Sequence, residues 1–431
     1  MIRATLTSAL LLVAAAFLVD TSHAQQNGFY LHDGDRVVFY GDSITEQRNY
    51  SMIIETYVLT RYPNLHVLFT NSGWGGDRVT GGGGGDIDLR LKRDVTPYQP
   101  TVVTIMLGMN DGGYKAATEE SEKQFFDGFR HIVTTLGQAD PQARITAIEP
   151  SPYDDTTRPP AFPVMDGTGY NQVLVGYGKW ISTYAKDNHI TVADANTDFV
   201  HVLGKANETD PSVAKEFLPD HIHPSFGGHL LIAESILKAW QARSVVAAVK
   251  IQAAALQPKL VQAEHTTVQN LTGGNSIGWS ETDDALPLPF LQWQQMWGGG
   301  PTIGLAIGSS DLTAALNQEP LCITGLKSGV YALRIDGTSI GTFTSDQFAS
   351  GINLALLKTP MSEQAMSVYQ LTTQRGDLHY DRWRHIQVPF GDIAEGQEAM
   401  TKLDAVGTHV EEQQRKAALP KAHVFEVALI Q

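Results

Sequence analysis

Disulfide bonds are excluded at the outset, because the 431 residues contain one cysteine, Cys322. It lies in the apolar run Leu321-Cys322-Ile323, which reads as a buried structural thiol rather than a nucleophile. Positive charge is also scarce: 31 Lys and Arg against 46 Asp and Glu leave a formal net charge of −15. A surface of that sign repels nucleic acid and anionic membranes, so no nucleic-acid partner is expected. No apolar run reaches the roughly 20 residues of a membrane span. No internal repeat is visible. The glycine runs Gly81–Gly85 and Gly298–Gly300 are not followed by Lys-Ser/Thr, which excludes a phosphate-binding loop and leaves mobile loops as their reading. Asp86-Ile87-Asp88 and His221-Ile222-His223 are short pairs without the full ligand spacing of a zinc or calcium site, so no metal and no organic cofactor are expected.

What is present begins with Arg3, the short apolar core Leu10 to Leu18 and the small-residue site Ser22-His23-Ala24. This reads as a signal peptide over residues 1–24. An exported chain without disulfides suits secretion or a bacterial periplasm. Asn49, Asn207 and Asn270 open N-x-S/T sequons that matter only in a glycosylating host.

From Asp33 to Arg243, strand-like and helix-like segments alternate. Strands are predicted at Arg36–Tyr40, Leu65–Thr70, Thr101–Leu107, Ala143–Ile148 and Ile190–Ala193. Helices are predicted at Tyr50–Tyr62, Ala117–Leu136, Gly169–Asn188 and Phe226–Trp240. Such alternation implies a parallel sheet covered on both faces, with functional loops beyond the carboxyl ends of the strands. Past Arg243 the pattern becomes β-rich, with the hairpin signal Asp336-Gly337, helices at Ser362–Thr373 and Gln397–Ala417, and a closing strand at Val424–Ile430. The expected division is an α/β domain over 25–245 and an α+β domain over 246–431.

Four separated segments carry the chemistry: Gly41-Asp42-Ser43-Ile44, Asn71-Ser72-Gly73-Trp74-Gly75-Gly76-Asp77, Gly108-Met109-Asn110-Asp111 and Asp220-His221-Ile222-His223. A serine hydroxyl attacks an acyl carbon only when a base takes its proton. Ser43, at a strand-to-helix turn, is the candidate nucleophile: an isolated Gly-Asp-Ser reads more readily as a helix cap, and the partner segments reverse that preference. His223, held extended by Pro224, is the candidate base, with Asp220 three residues earlier as its orienting carboxylate. His221 and His229 rank below it. The backbone N–H groups of Gly76 and Ser43 and the Asn110 amide are the candidate donors to a tetrahedral oxyanion, with Gly75 the alternative to Gly76. Asp111 reads as a loop buttress. Trp74 stands two residues from that glycine, as a wall of the substrate site or packed beneath the loop.

These segments resemble the blocks of the SGNH (GDSL-type) hydrolase superfamily, which includes carbohydrate acetyl esterases, short-chain and aryl esterases, lipases and thioesterases. Over residues 33–243 the resemblance implies a three-layer α/β/α sandwich on a five-stranded parallel sheet, flavodoxin-like, with catalytic Ser43, Asp220 and His223 and an oxyanion hole of Ser43, Gly76 and Asn110. The Gly-x-Ser-x-Gly elbow of α/β-hydrolases is absent. The function expected is a secreted serine esterase acting on short-chain or acetyl esters, carbohydrate O-acetyl esters among them, of small molecules or polysaccharides. The competing readings are a carbohydrate-binding or surface protein with a vestigial hydrolase domain, and a lipase or arylesterase. The resemblance does not reach the C-terminal portion. There Trp279, Trp293 and Trp297 read as packing more readily than as sugar platforms. Tyr380, Arg382, Trp383 and Arg384 form an aromatic and basic cluster suited to an interdomain surface.

Overall fold

An apolar run with no polar alternation needs cover on both faces of a sheet. In the computed structural model, which describes residues 28–162, 168–254, 257–296 and 299–430, Val102–Met106 is such a run and all five residues are buried. The signal-peptide segment and Trp297 lie outside the described residues. The strand belongs to a five-stranded sheet formed by β1 (Arg36–Gly41), β2 (Leu68–Gly73), β3 (Val102–Met106), β4 (Arg144–Ile148) and β5 (Thr191–Ala193). Every pairing is parallel and the order is β2-β1-β3-β4-β5. The order reverses beside β1, and in such sheets the crevice beyond that point holds the ligand.

Helices α1 (Ser43–Glu46) and α2 (Asn49–Arg61) follow β1. One face of the sheet is covered by α3 (Ile87–Asp94), α4 (Glu119–Ala139) and α5 (Asn171–Asp187). The predicted stripe on α4 faces inward, with Phe125, Phe129, Ile132 and Leu136 buried. The other face carries α2 and α7 (Phe226–Ala239), with α6 (Thr197–Thr209) beside α7. Helix α6 was not anticipated, although Phe199, Val202, Leu203 and Ala206 bury one stripe at helical spacing. The second strand begins and ends three residues later than expected. Asn71 is therefore inside it rather than its stop, because β1 offers backbone partners as far as Gly41, opposite Gly73.

The C-terminal portion is β-rich, as expected. A four-stranded sheet orders β13-β10-β6-β7, from β6 (Ala248–Gln252), β7 (Lys259–Glu264), β10 (Pro320–Thr324) and β13 (Ile352–Asn353). An antiparallel sheet orders β8-β9-β14-β11-β12, from β8 (Thr266–Thr272), β9 (Ser276–Asp283), β11 (Val330–Ile335), β12 (Thr338–Thr344) and β14 (Ala422–Leu429). Asp336 and Gly337 join β11 to β12 with φ of +51° and +76°, as a tight two-residue hairpin demands. The expected closing strand is not at an edge: β14 pairs with β9 on one side and β11 on the other.

Helices of this portion pack on the first sheet's outer layer. Helix α8 (Gly300–Ser309) lies on α7, and α9 (Pro360–Tyr380) lies on α2 and on α10 (Ala394–Ala418). That contact explains why every residue of α2 from Tyr50 to Arg61 is buried. Glu55 is held there by Arg375 through bonds of 2.8 and 2.6 Å, and by Gln414 at 2.9 Å. Among the described residues no helix is long and apolar enough to cross a membrane.

Three local expectations are corrected. Gly81–Gly85 is not a mobile loop but the core of a short ladder, Gly81–Gly82 against Gly85–Asp86, in which a Cβ on Gly81 would fall 2.3 Å from the Gly85 carbonyl oxygen. Gly300 opens α8 rather than a loop. Cys322 is half-buried, because β10 turns Leu321 and Ile323 to the core and Cys322 the other way, toward the Ala349 carbonyl at 3.2 Å. Trp279 and Trp293 are core residues, the first stacked on Phe425 at 5.0 Å and the second packed among Phe226, Phe290 and Tyr369.

Candidate active site

The sheet register brings the first three segments together before any side chain is considered. Gly41 stands opposite Gly73 on β2 and Met106 on β3, so the chain beyond each strand emerges at one place. The glycines permit the close approach. A Cβ on Gly41 would meet Thr45 Oγ1 at 2.1 Å and the Met106 carbonyl at 2.6 Å, and one on Gly73 would meet the Glu46 amide nitrogen at 2.2 Å.

Asp42 caps α1, its Oδ1 accepting the Ile44 N–H at 3.0 Å. Ser43 is thus the first residue of the helix rather than its cap, and its hydroxyl is left for other work. The Ser43 Oγ lies 2.8 Å from His223 Nε2, and His223 Nδ1 lies 2.6 Å from Asp220 Oδ2. The other Asp220 oxygen, Oδ1, accepts the backbone N–H groups of Ile222 (3.0 Å) and His223 (2.7 Å). One carboxylate therefore shapes the turn and orients the ring. Partial burial alone would raise the Asp220 pKa, but the bonds from the His223 ring and these two N–H groups outweigh it and hold the carboxyl below its usual range.

The decoy histidines are engaged elsewhere. His221 takes a left-handed backbone (φ +71°), turns its Nδ1 to the Asp154 carbonyl at 2.7 Å and stacks on Tyr153. His229 is fully buried with its Nε2 2.8 Å from Gln47 Oε1, and burial pushes its pKa down to about 3.

On the opposite side, Trp74 to Asp77 form a turn closed by a 3.1 Å bond from the Asp77 N–H to the Trp74 carbonyl, and Gly76 occupies its third position with φ +78°. That conformation suits glycine. Asn110 reaches this turn, its Nδ2 donating to the Asp77 carbonyl at 3.0 Å and lying 3.4 Å from Asp42 Oδ2. The Tyr114 hydroxyl donates to Asn110 Oδ1 at 3.1 Å, which fixes which end of the amide is the donor. Tyr114 was not anticipated, as nothing in the local pattern marks it. Asp111 Oδ1 accepts the Val79 N–H at 2.9 Å and ties the two loops together, the buttressing role its position suggested. Burial pushes Asp42 up to about 7, with Asp111 and Asp77 adding to the effect, so the carboxyl beside Ser43 titrates near neutrality.

Trp74 is half-buried. The Arg384 guanidinium carbon sits 3.5 Å from its ring centroid, Arg90 and Arg93 stand at 5.2 and 5.3 Å, and Trp383 meets it edge-on at 5.7 Å. Gly84 packs against the ring so closely that a Cβ there would be 2.6 Å from Cδ2. The indole is packed with the loop. Beneath it, fully buried Arg90 bonds Asp77 at 2.7 Å, the Ser72 carbonyl at 2.7 Å, and Asp94. Sequence reading also missed Glu46, whose Oε2 accepts the Gly75 N–H at 2.8 Å and whose Oε1 pairs with Arg384 at 2.6 Å. Its place three residues after Ser43, on the same turn of helix, was the available signal.

A hydroxyl bonded to an imidazole that is oriented by a carboxylate, beside a turn carrying glycine N–H groups and a fixed amide donor, has the parts that acyl transfer requires. Among the described residues no three His, Cys, Asp or Glu stand together to hold a metal ion. Comparisons with known proteins agree in kind. Residues 39–231 match the GDSL-like lipase/acylhydrolase family. An acetylxylan esterase of Geobacillus stearothermophilus is 24% identical over 224 residues, which is 48% of this chain and 93% of that protein. The solved structure of a gut microbial diltiazem-metabolizing enzyme matches with a TM-score of 0.78 and 27% identity, covering 93% of this chain and 98% of that one, so its likeness extends through the C-terminal portion. Residues 39–231 are thus a GDSL-like lipase/acylhydrolase domain of the SGNH type, and the chain that carries it is an ester-hydrolysing enzyme.

Proposed function

We propose that the protein is an exported acetyl or short-chain acyl esterase that uses Ser43 as nucleophile, with carbohydrate O-acetyl esters as its leading substrate class. The observation that carries this reading is the continuous relay from Ser43 Oγ through His223 to Asp220, at 2.8 and 2.6 Å. As Oγ attacks the acyl carbon, His223 Nε2 takes the hydroxyl proton and Asp220 stabilises the imidazolium. The carbonyl π electrons move to oxygen, where the N–H groups of Ser43 and Gly76 and the Asn110 amide are the assigned donors. The imidazolium then returns the proton to the leaving alcohol as the ester C–O bond breaks, leaving acyl-Ser43. Water, deprotonated by His223, attacks that ester, and carboxylic acid departs as Ser43 regains its proton. The relative named for acetylxylan supports the choice of acetyl group and sugar alcohol. The Leu10–Leu18 run with its flanks supports export.

The whole-chain likeness to a small-molecule-metabolizing enzyme favours a second reading of the substrate alone, an acyl ester on a compact organic molecule. Ser43→Ala is expected to abolish p-nitrophenyl acetate hydrolysis, a loss of about 10⁴-fold or more, with the melting temperature unchanged. Wild-type turnover by that variant would refute the mechanism. Assaying acetylated xylan beside p-nitrophenyl and small aryl acetates separates the two substrate readings by kcat/KM.

A further inference from the structure

The C-terminal portion reaches the nucleophile's helix through one short stretch. Helix α9 runs directly into the π-helical segment Asp381–Gln387. The wider π turn changes the facing of successive side chains, and such turns recur at functional sites. Here two consecutive residues both face the hydrolase domain. Trp383 Nε1 donates to Asp94 Oδ1 at 2.7 Å, and Arg384 sits over the Trp74 ring while pairing with Glu46. One turn earlier, half-buried His379 donates from Nε2 to the Asn71 carbonyl at 3.0 Å, and desolvation pushes its pKa down to about 4, so that the neutral imidazole is the donor. The Tyr380 hydroxyl stands 3.4 Å from Glu46 Oε1.

These contacts converge on one carboxylate. Glu46 ends the helix that Ser43 begins, and its two oxygens are divided between Arg384 and the N–H of Gly75. Gly75 faces both ends of that helix: a Cβ added to it would lie 2.8 Å from Glu46 Oε2 and 3.8 Å from Ser43 Cβ. Gly76, whose N–H is the assigned donor, is the next residue along. A bare carboxylate in this position would have two opposing effects. It would hold the Gly75–Gly76 turn in place, yet its negative charge would oppose charge developing on the substrate oxygen. A guanidinium on its other oxygen keeps the first effect and cancels the second.

We propose that Arg384 is a positioning residue for acyl transfer, acting through Glu46 and Trp74 to fix the Gly75–Gly76 turn and to neutralise the carboxylate beside the nucleophile. The C-terminal portion then completes the active site rather than standing apart from it. The proposal rests on Ser43 as nucleophile and Gly76 as oxyanion donor, and the Ser43→Ala control separates the two: wild-type turnover in that control is a failure of the mechanism, not of this assignment.

The test is a double-mutant cycle on the full chain with p-nitrophenyl acetate. Arg384→Met leaves Glu46 uncompensated and is expected to lower kcat about 10–100-fold with KM little changed. Glu46→Gln keeps an oxygen for the Gly75 N–H without a charge, and a fall of less than about fivefold is expected. Adding Glu46→Gln to Arg384→Met is expected to restore kcat by about fivefold or more, a rescue that lost packing would not produce. Arg384→Lys is expected to fall between the parent and Arg384→Met, because an ammonium restores charge but not the stacked fork. If Arg384→Met does not yield folded protein, the Lys variant with and without Glu46→Gln carries the same comparison. An unchanged kcat, a loss confined to KM, or a double variant no better than Arg384→Met would overturn the proposal.

Discussion

Replacing Asp220 with Asn alters one atom and tests the orienting role with little disturbance of the fold. In the parent, Oδ1 accepts two backbone N–H groups, at 3.0 and 2.7 Å, and Oδ2 accepts the ring Nδ1–H at 2.6 Å. An asparagine must keep its oxygen toward the two N–H groups, because its NH₂ cannot accept them. The NH₂ is then directed at His223 Nδ1, which becomes an acceptor, and the proton moves to Nε2. The ring now donates to Ser43 Oγ instead of taking its proton, so the relay is reversed with its geometry intact. Where such an orienting carboxylate is fully buried, the wrong tautomer lowers kcat by about 10⁴-fold. Here the Asp220 side chain is 54% exposed and water competes for the ring, so the expected loss is about 10²–10³-fold, or roughly 3–4 kcal/mol. The assay is steady-state hydrolysis of p-nitrophenyl acetate beside a thermal melt, with the melting temperature expected to stay within about 2 °C of the parent. Asp220→Ala is the contrast, since it also releases both turn N–H groups and should melt earlier. A kcat for Asp220→Asn within tenfold of the parent would refute the reasoning. So would a loss that tracks melting temperature across both variants, which would reduce Asp220 to a turn residue.

Three further expectations follow from the same geometry. Asn110→Ala should lower kcat by about 10²–10³-fold with little change in KM, while Tyr114→Phe, which only frees the amide to turn, should cost about tenfold or less; equal effects would contradict the assigned order. Burial raises Asp42 to about 7 and Glu234 to about 8, above their unfolded values of 3.8 and 4.5, so the folded protein holds protons that the unfolded chain has released. Their contribution is complete below about pH 4 and is lost as pH rises toward 8, at about 1.4 kcal/mol per pH unit for each group, so the melting temperature should fall from pH 6.5 to pH 8 and fall less in Glu234→Gln. Buried His229 and the His379 ring, held down at about 3 and 4, act oppositely and add stability only up to about pH 6.5, so the test lies above that pH; a melting curve that is flat from pH 6.5 to 8 and unchanged by Glu234→Gln would contradict the assignment. Gly73→Ala places a Cβ 2.2 Å from the backbone of α1 and should prevent normal folding, whereas Gly76→Ala meets open space and carries only the strain of φ +78°, about 1–2 kcal/mol; comparable melting of the two would refute the argument from packing.

The parallel sheet and the four candidate site segments were legible because each is local. Apolar runs such as Val102–Met106 announce two-sided burial, and Asp220-x-x-His223 carries its own hydrogen bonds within one turn. The Asp336-Gly337 hairpin was legible for the same reason, since two positive φ values in sequence are a property of those residue types. Several of the misses are decided at long range. Glu46 and Arg384 are 338 positions apart, and neither residue's neighbourhood hints at the other. Trp74 reads equally well as a substrate wall or as a packed ring until Arg384 and Gly84 are seen on it. The run from Val424 reads as a strand, but whether a strand lies at an edge or a centre depends on partners contributed by β9 and β11.

That central strand has a consequence for how the molecule comes into being. β14 is the last of its sheet's five strands to leave the ribosome, yet it is the one on which β9 and β11 both pair. While it is still in the exit tunnel, those neighbours present two unsatisfied edges, and the sheet cannot close ahead of it. Helices α9 and α10 and the Arg384 segment are synthesised earlier and can dock on α2 first, but the sheet beside them is finished only afterwards. A nascent chain cut short before Ala422 would therefore carry Ser43, Asp220 and His223 and still lack the strand that joins the two halves of its antiparallel sheet.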